Sequence, residues 1–363
     1  MAFARKLNTR TRLASVDPLR LRGGDWALLK VARRRELVHA AWRHWRAFGF
    51  PHYQLSSLEI SLEFKRLTAQ DLQTAFSRAG ALGSVVGLRI ANFFQPGMWS
   101  VRVSRYRSPM DVFQDDSLLQ AAIERAWTIW PDRCGANSST LRRMLKTFPS
   151  TASVSNFRPT LARAVIERYS APGSTVVDFS AGYGGRLTGC LTLDRNYIGI
   201  EPNEEQVAGL RSTIGALVPL MDGNPTAEII EGCAEDVLPH MPPRLAGLVF
   251  SSPPYYNWER YSDSPKQSFI RYGSYDGWLK GFLEPCIWES RRILRRSGRL
   301  VLNISGRSRW PSAEDVIRIA ERSNFRLIEV MPMLLARVPY LHPRGGGPYK
   351  PELLLVFEQG ARG

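Results

Sequence analysis

Apolar and polar positions follow two regimes along the chain, and the change falls near residue 150. Before it, apolar residues recur mostly at helical spacing. From Asp25 onward Val38, Ala41, Trp42, Trp45 and Phe48 share one stripe, and Gly49 and Pro51 end the run. Ser56 and Glu59 form a capping-box pair ahead of a second stripe, Leu58, Ile60, Leu62, Phe64 and Leu67, in a region closed by Gly80. Residues 85–94 and 99–106 alternate with the period of short strands about a Gln95-Pro96-Gly97 turn, and a further helix is expected from Asp116 to Trp130. Residues 1–150 therefore read as a mostly helical domain.

Beyond residue 150, short apolar runs alternate with helical patterns. Strands are expected near 175–179, 196–200, 226–231, 245–250, 299–304, 325–331 and 352–357. Helices are expected near 158–170, 185–193, 203–217, 275–296 and 312–323. This alternation predicts an α/β domain over 151–363, wound on both faces of a sheet. Arg344-Gly345-Gly346-Gly347-Pro348 reads as a loop between the last two strands.

Composition adds a partner class to this picture. Of the 363 residues 44% are apolar and 23% charged, as in a soluble globular protein, but 49 Lys and Arg against 33 Asp and Glu leave a net charge of +16. Such an excess suits a polyanion and speeds encounter with nucleic acid. The residues before Asp17, with Arg5, Lys6, Arg10 and Arg12, read as a basic arm. No apolar run approaches a membrane span, so no membrane partner is expected. Cys134, Cys190, Cys233 and Cys286 have neither zinc nor disulfide spacing, and the five histidines have no ligand spacing. A reducing cytoplasm and no metal are the simplest expectation.

Two segments carry candidate chemistry. Val176-Val177-Asp178-Phe179-Ser180-Ala181-Gly182-Tyr183-Gly184-Gly185 follows an apolar run and opens a helix, the setting in which α/β folds bind nucleotide-like cofactors. Gly182 and Gly184 let the backbone turn sharply and approach a ligand. Asp178 is placed to orient a cofactor ammonium. Glu201 ends the next strand roughly 20 residues on, where ribose hydroxyls are read. No Gly-Lys-Ser/Thr follows, which excludes a P-loop. The second segment, Ser252-Pro253-Pro254-Tyr255, follows the run 245–250. The Ser252 hydroxyl and Pro253 carbonyl can accept the two N–H groups of an aryl amine. Pro253 and Pro254 stiffen the loop, and Tyr255 offers a stacking face.

In this order the two segments resemble the S-adenosylmethionine-dependent amino-methyltransferases that modify an exocyclic nitrogen of adenine or cytosine in DNA. The resemblance covers residues 150–357 and extends to Tyr256-Asn257-Trp258-Glu259-Arg260-Tyr261-Ser262, Gln267-Ser268 and Tyr275 to Trp278. It implies a Rossmann-like, doubly wound sheet of seven strands with a final antiparallel pair. It implies S-adenosylmethionine as cofactor, double-stranded DNA with a flipped base as substrate, and a cognate restriction or defence component as a partner class. Its cofactor contacts would fall on Phe157, in Ser155-Asn156-Phe157-Arg158-Pro159, on Asp178, Ser180, Ala181, Gly182, Tyr183, Gly184 and Glu201, and on Ala234 and Glu235 at the adenine. Its catalytic loop would be Ser252, Pro253, Pro254 and Tyr255.

The chain departs from the pattern at Gly247 and Cys233, where acids are common. Ser at the first loop position leans toward N4 of cytosine over N6 of adenine. An RNA base methylase, a protein glutamine methylase and a DNA-binding module with a vestigial pocket are the competing classes. Cys286 lies within the apolar pattern Leu279, Phe282, Leu283, Ile287 and Ile293, which predicts a buried helix cysteine and no covalent route. Little chain separates the two loops, so target recognition is expected in residues 1–150 and the 256–275 loop. There some of Arg33, Arg34, Arg35, Arg43 and Arg46 would supply phosphate contacts, with Trp42 and Trp45 in the local core.

Overall fold

The computed structural model describes residues 17–130, 132–221, 223–304, 311–333 and 352–360. The basic arm and the 344–348 loop lie outside them. Seven strands form the main sheet: β1 Thr175–Asp178, β2 Asn196–Glu201, β3 Ala227–Glu231, β4 Ala246–Ser251, β5 Leu294–Ile304, β6 Phe325–Met333 and β7 Glu352–Gln359. Their order is β6-β7-β5-β4-β1-β2-β3, parallel except for β7, which pairs antiparallel with both β5 and β6. A hairpin of two-residue strands, Phe76–Ser77 and Gly80–Ala81, meets β6 at its outer edge. This is a Rossmann-like, doubly wound α/β fold, and the seven strands with their final antiparallel pair match the expectation.

The continuous apolar runs have a physical cause. Successive strand residues point to opposite faces, and both faces are covered. Val176, Leu248, Phe250, Val301, Leu354 and Val356 pack with helices Ser57–Thr68, Pro159–Tyr169 and Glu204–Leu217 on one side. Val177, Val249, Leu300, Leu302, Leu355 and Phe357 pack with helices Glu284–Ile293 and Ala313–Arg322 on the other. Between Tyr275 and Ile293 the helical path passes through one π-turn, Leu279–Leu283.

The division of the chain differs from a cut at residue 150. Two compact units interleave: Met1–Tyr53 with Trp99–Val154, and Gln54–Met98 with Ser155–Gly363. The cause is burial of the 54–98 segment. Ile60 and Phe64 belong to the core on one face of the sheet, and Thr160 Oγ1 donates to the Ser84 carbonyl at 3.0 Å. A Cβ at Gly83 would lie 2.9 Å from Leu161 Cβ, so the backbone approach is close. The capping box at Ser56 and Glu59 is formed as expected.

Residues 85–94 are not a strand. Leu88–Phe93 is a helix entered through Gly87 at φ 84°, with Ile90 and Ala91 buried; of 99–106 only Arg102–Val103 is a strand. Seven apolar positions in ten residues satisfy either period, and the contacts of Ile90 with the sheet decide for the helix. The first unit is helical. Trp26 and Trp127 stack at 4.6 Å, and Trp45 donates its indole N–H to the Ala136 carbonyl at 2.9 Å, placing it in the local core as expected. No helix among the described residues is long and apolar enough to cross a membrane.

Leu248 is fully buried at the centre of β4. Leu248→Ala should cost about 2–5 kcal/mol through lost burial and the residual cavity. Urea denaturation should show a lower midpoint at unchanged slope.

Candidate functional site

The site lies where the strand order turns back, between β1 and β4, at the carboxyl ends of the strands. Asp178 ends β1 with no exposure to solvent. Its Oδ2 accepts from Arg186 Nε at 2.6 Å and from the Tyr197 hydroxyl of β2 at 2.8 Å. Its Oδ1 accepts from the Ser251 hydroxyl of β4 at 2.9 Å and from the Ser180 N–H at 3.2 Å. Burial works against the Arg186 charge, yet Asp178 lifts its pKa above the ordinary value. The Tyr197 phenol is driven well above its usual value by burial and then by Asp178. The expectation that Asp178 itself orients a cofactor ammonium is therefore corrected. Both oxygens are engaged within the protein, so Asp178 shapes the glycine loop through Arg186 and Ser180.

The loop itself is open toward a ligand. Gly182 and Gly184 have φ of 55° and 76°, a left-handed backbone that favours glycine. A Cβ at Gly182 would meet nothing closer than the Ser180 carbonyl at 3.7 Å. Gly182 donates its N–H to Glu201 Oε2 at 2.9 Å, and Asn203 donates to Oε1 at 3.1 Å. Burial raises the Glu201 carboxyl to about 7 against those two bonds. Asn156 Nδ2 donates to the Tyr183 carbonyl at 2.7 Å, and a Cβ at Gly185 would collide with the Phe157 carbonyl, so the 155–157 segment lies on the loop. Phe157 meets Phe250 edge-on at 5.4 Å. Ala181, Tyr183 and Ala234 are buried and Ser180 is half-buried. These features suit a nucleoside-like group: a backbone turn open on one face, with an acid at the next strand end.

Glu235 Oε1 accepts from Arg271 at 2.9 Å and from the Tyr272 hydroxyl at 2.8 Å, and the backbone of Ala234 and Glu235 opens helix Ala234–Val237.

Ser252, Pro253, Pro254 and Tyr255 leave β4 directly after Ser251, so the Asp178–Ser251 bond ties this loop to the glycine loop. Tyr256 closes the turn at φ 49°, an uncommon conformation for a side chain of its size. Its ring rests on Tyr275 and Trp278 at 5.5 and 6.0 Å.

The sequence assigned no role to several neighbours of this loop. Asn303 of β5 donates to Ser252 Oγ at 3.1 Å and to Glu352 Oε2 at 3.2 Å. Tyr261 donates its hydroxyl to Glu259 and its ring lies 6.0 Å from that of Tyr183. Burial, reinforced by Glu352, raises the Glu259 carboxyl to about 7 although Tyr261 stabilises its charge. Asn303 did leave a signal: it is the one polar residue in the run Leu300-Val301-Leu302-Asn303-Ile304. Cys286 is fully buried, and burial holds its thiol well above the usual range, in keeping with a structural cysteine.

No family profile and no curated protein matches the chain. Among solved structures it is similar to a TehB-like SAM-dependent methyltransferase from Corynebacterium glutamicum, at 15% identity over 56% of this chain and 89% of that one, with TM-score 0.37. It is similar to TrmN from Thermus thermophilus, at 17% identity over 55% and 48%, TM-score 0.35. Precorrin-6y C5,15-methyltransferase from Geobacter metallireducens gives 15%, 54% and 88%, TM-score 0.36. The strand order above, not these overlays, defines the fold.

Asp178→Ala leaves a buried guanidinium without its partner and should cost about 3–5 kcal/mol, with part recovered when Arg186→Leu is added. Urea unfolding of the single and double variants measures this. Glu259 is harder to ionise folded than unfolded, so its contribution to stability is lost as pH rises from 4.5 through about 7. Glu259→Gln should therefore gain on the wild type across that window and hold a constant lead above it, which melting temperatures against pH will test.

Proposed function

We propose that the protein is an S-adenosylmethionine-dependent methyltransferase acting on an exocyclic amino group of a base in DNA, N4 of cytosine ahead of N6 of adenine. The observation that carries this reading is the junction of the glycine loop and the Ser252–Tyr255 loop through Asp178 and Ser251. A cofactor held on the first loop lies beside an amine held on the second.

When bound, S-adenosylmethionine supplies an electrophilic methyl group on a sulfonium. Gly182 and Gly184 allow it to approach the backbone, Glu201 stands at the ribose position, and Phe157 covers the methionine end. Ser252 Oγ and the Pro253 carbonyl accept the two amino N–H groups. This turns the nitrogen lone pair out of conjugation and toward the methyl carbon. Tyr255 stacks on the extruded base. The alkylated nitrogen is a strong acid and gives its proton to water, so the residues need supply alignment without a strong base.

DNA affinity is assigned to the basic surface of the first unit, with double-stranded DNA as the partner. Arg46 is committed there to Asp116 and two backbone carbonyls, and Arg34 to the Trp26 and Ala27 carbonyls. Arg35 and Arg43 of helix Val31–Phe48 are exposed and are the phosphate contacts of this reading. A restriction or defence partner remains part of the proposal.

Calorimetry should find S-adenosylmethionine binding, and nucleosides from DNA of expressing cells should contain N4-methylcytosine by mass spectrometry. Ser252→Ala should lower turnover about 10- to 1,000-fold at nearly unchanged cofactor affinity. N6-methyladenine would change only the base. 5-Methylcytosine, or methylation confined to RNA, would overturn the reading. Arg35→Ala with Arg43→Ala should weaken DNA binding and reduce the slope of log K against log salt by about 0.9 per lost contact.

A further inference from the structure

Asn303 is 2% exposed, and its amide reaches three groups at once: Ser252 Oγ at 3.1 Å, the Tyr255 hydroxyl at 3.5 Å and Glu352 Oε2 at 3.2 Å. The carboxylate fixes which way the amide points, because an ionised carboxylate only accepts and the atom facing it must be the nitrogen. The other end, Oδ1, is buried, and among the described residues no donor reaches it. A buried carbonyl left without a donor is costly and calls for an explanation. The amide is held to serve its nitrogen side.

The same nitrogen fixes Ser252 Oγ from one side: Asn303 donates into one of its two lone pairs and leaves the other for a substrate N–H. We propose that Asn303, held by Glu352, is a positioning residue that holds the Ser252 hydroxyl oxygen where a substrate amine donates to it. This rests on the reading of Ser252 as the amine acceptor.

The test follows tritiated methyl transfer from S-adenosylmethionine to unmethylated bacterial genomic DNA, with cofactor Kd measured by calorimetry on each variant. Asn303→Ala should lower kcat by about tenfold or more while the cofactor Kd stays within about twofold and KM for DNA changes little. Asn303→Asp is the second variant, of nearly the same shape. Its ionised carboxylate cannot donate to Ser252, whereas the protonated form can. The groups around it are Glu352, Glu259, the Tyr255 and Tyr261 phenols, and Arg158, whose charge interacts with Glu352. Two facing carboxylates share a proton, so Asn303→Asp should be slow at about pH 8 and regain rate relative to the wild type toward about pH 6. A merely structural role would not produce that profile. Asn303→Ala at the wild-type rate, or Asn303→Asp slow with the wild-type pH profile, overturns the inference alone. Wild-type protein that binds the cofactor yet methylates no DNA overturns the functional reading, and this inference with it.

Discussion

The ion pair of Asp178 and Arg186 is the constraint on which the site is built. A carboxylate with no exposure at the middle of a sheet is tolerable only when its charge and its lone pairs are both answered. Arg186 answers the charge, and Tyr197, Ser251 and the Ser180 N–H answer the remaining capacity. Each donor comes from a different element: the helix after the glycine loop, β2, β4 and the loop itself. Burial thus converts one side chain into a fixed node joining three strand ends. Replacing any donor leaves part of a buried charge unanswered.

Around this node the polar groups fall into two sets. Near the glycine loop Glu201 takes the Gly182 and Asn203 N–H groups, so it shapes the backbone there. Beyond the Ser252 loop stand Glu259, Glu352, Asn303 and the phenols of Tyr255 and Tyr261. Glu201 and Glu259 are raised to about 7 for one cause, the removal of their carboxylates from water. Side chains arranged in this way present acceptors, which complement groups that bring N–H donors.

The interleaved units have an equally direct cause. Helix Ser57–Thr68 and helix Leu88–Phe93 carry apolar faces that would be exposed in a self-standing N-terminal domain. They are buried with β6, β7 and helix Pro159–Tyr169 in one core. The first unit keeps its own tryptophan core, with Trp26, Trp45 and Trp127 each buried. The exposed arginines of helix Val31–Phe48 belong to that unit.

By itself the sequence determined the features governed by local periodicity and backbone chemistry. Buried parallel strands need uninterrupted apolar runs, so their positions were legible to within a few residues. Glycines with positive φ mark the cofactor loop, and Ser56 with Glu59 marks a helix start. The order of the two loops along the chain carried their expected roles. Tertiary structure decided everything that depends on which strand ends meet. Local pattern did not distinguish helix from strand at 88–93, nor did it assign residues 54–98 to the second core. It also did not reveal that Asp178 is consumed by Arg186, or that Glu235 is committed to Arg271. Asn303 reaches Ser252 from a strand 51 residues further along the chain, and Glu352, which accepts from Asn303, comes 49 residues after that. Their meeting is set by the register of β4, β5 and β7, and register arises from long-range pairing that no local spacing encodes.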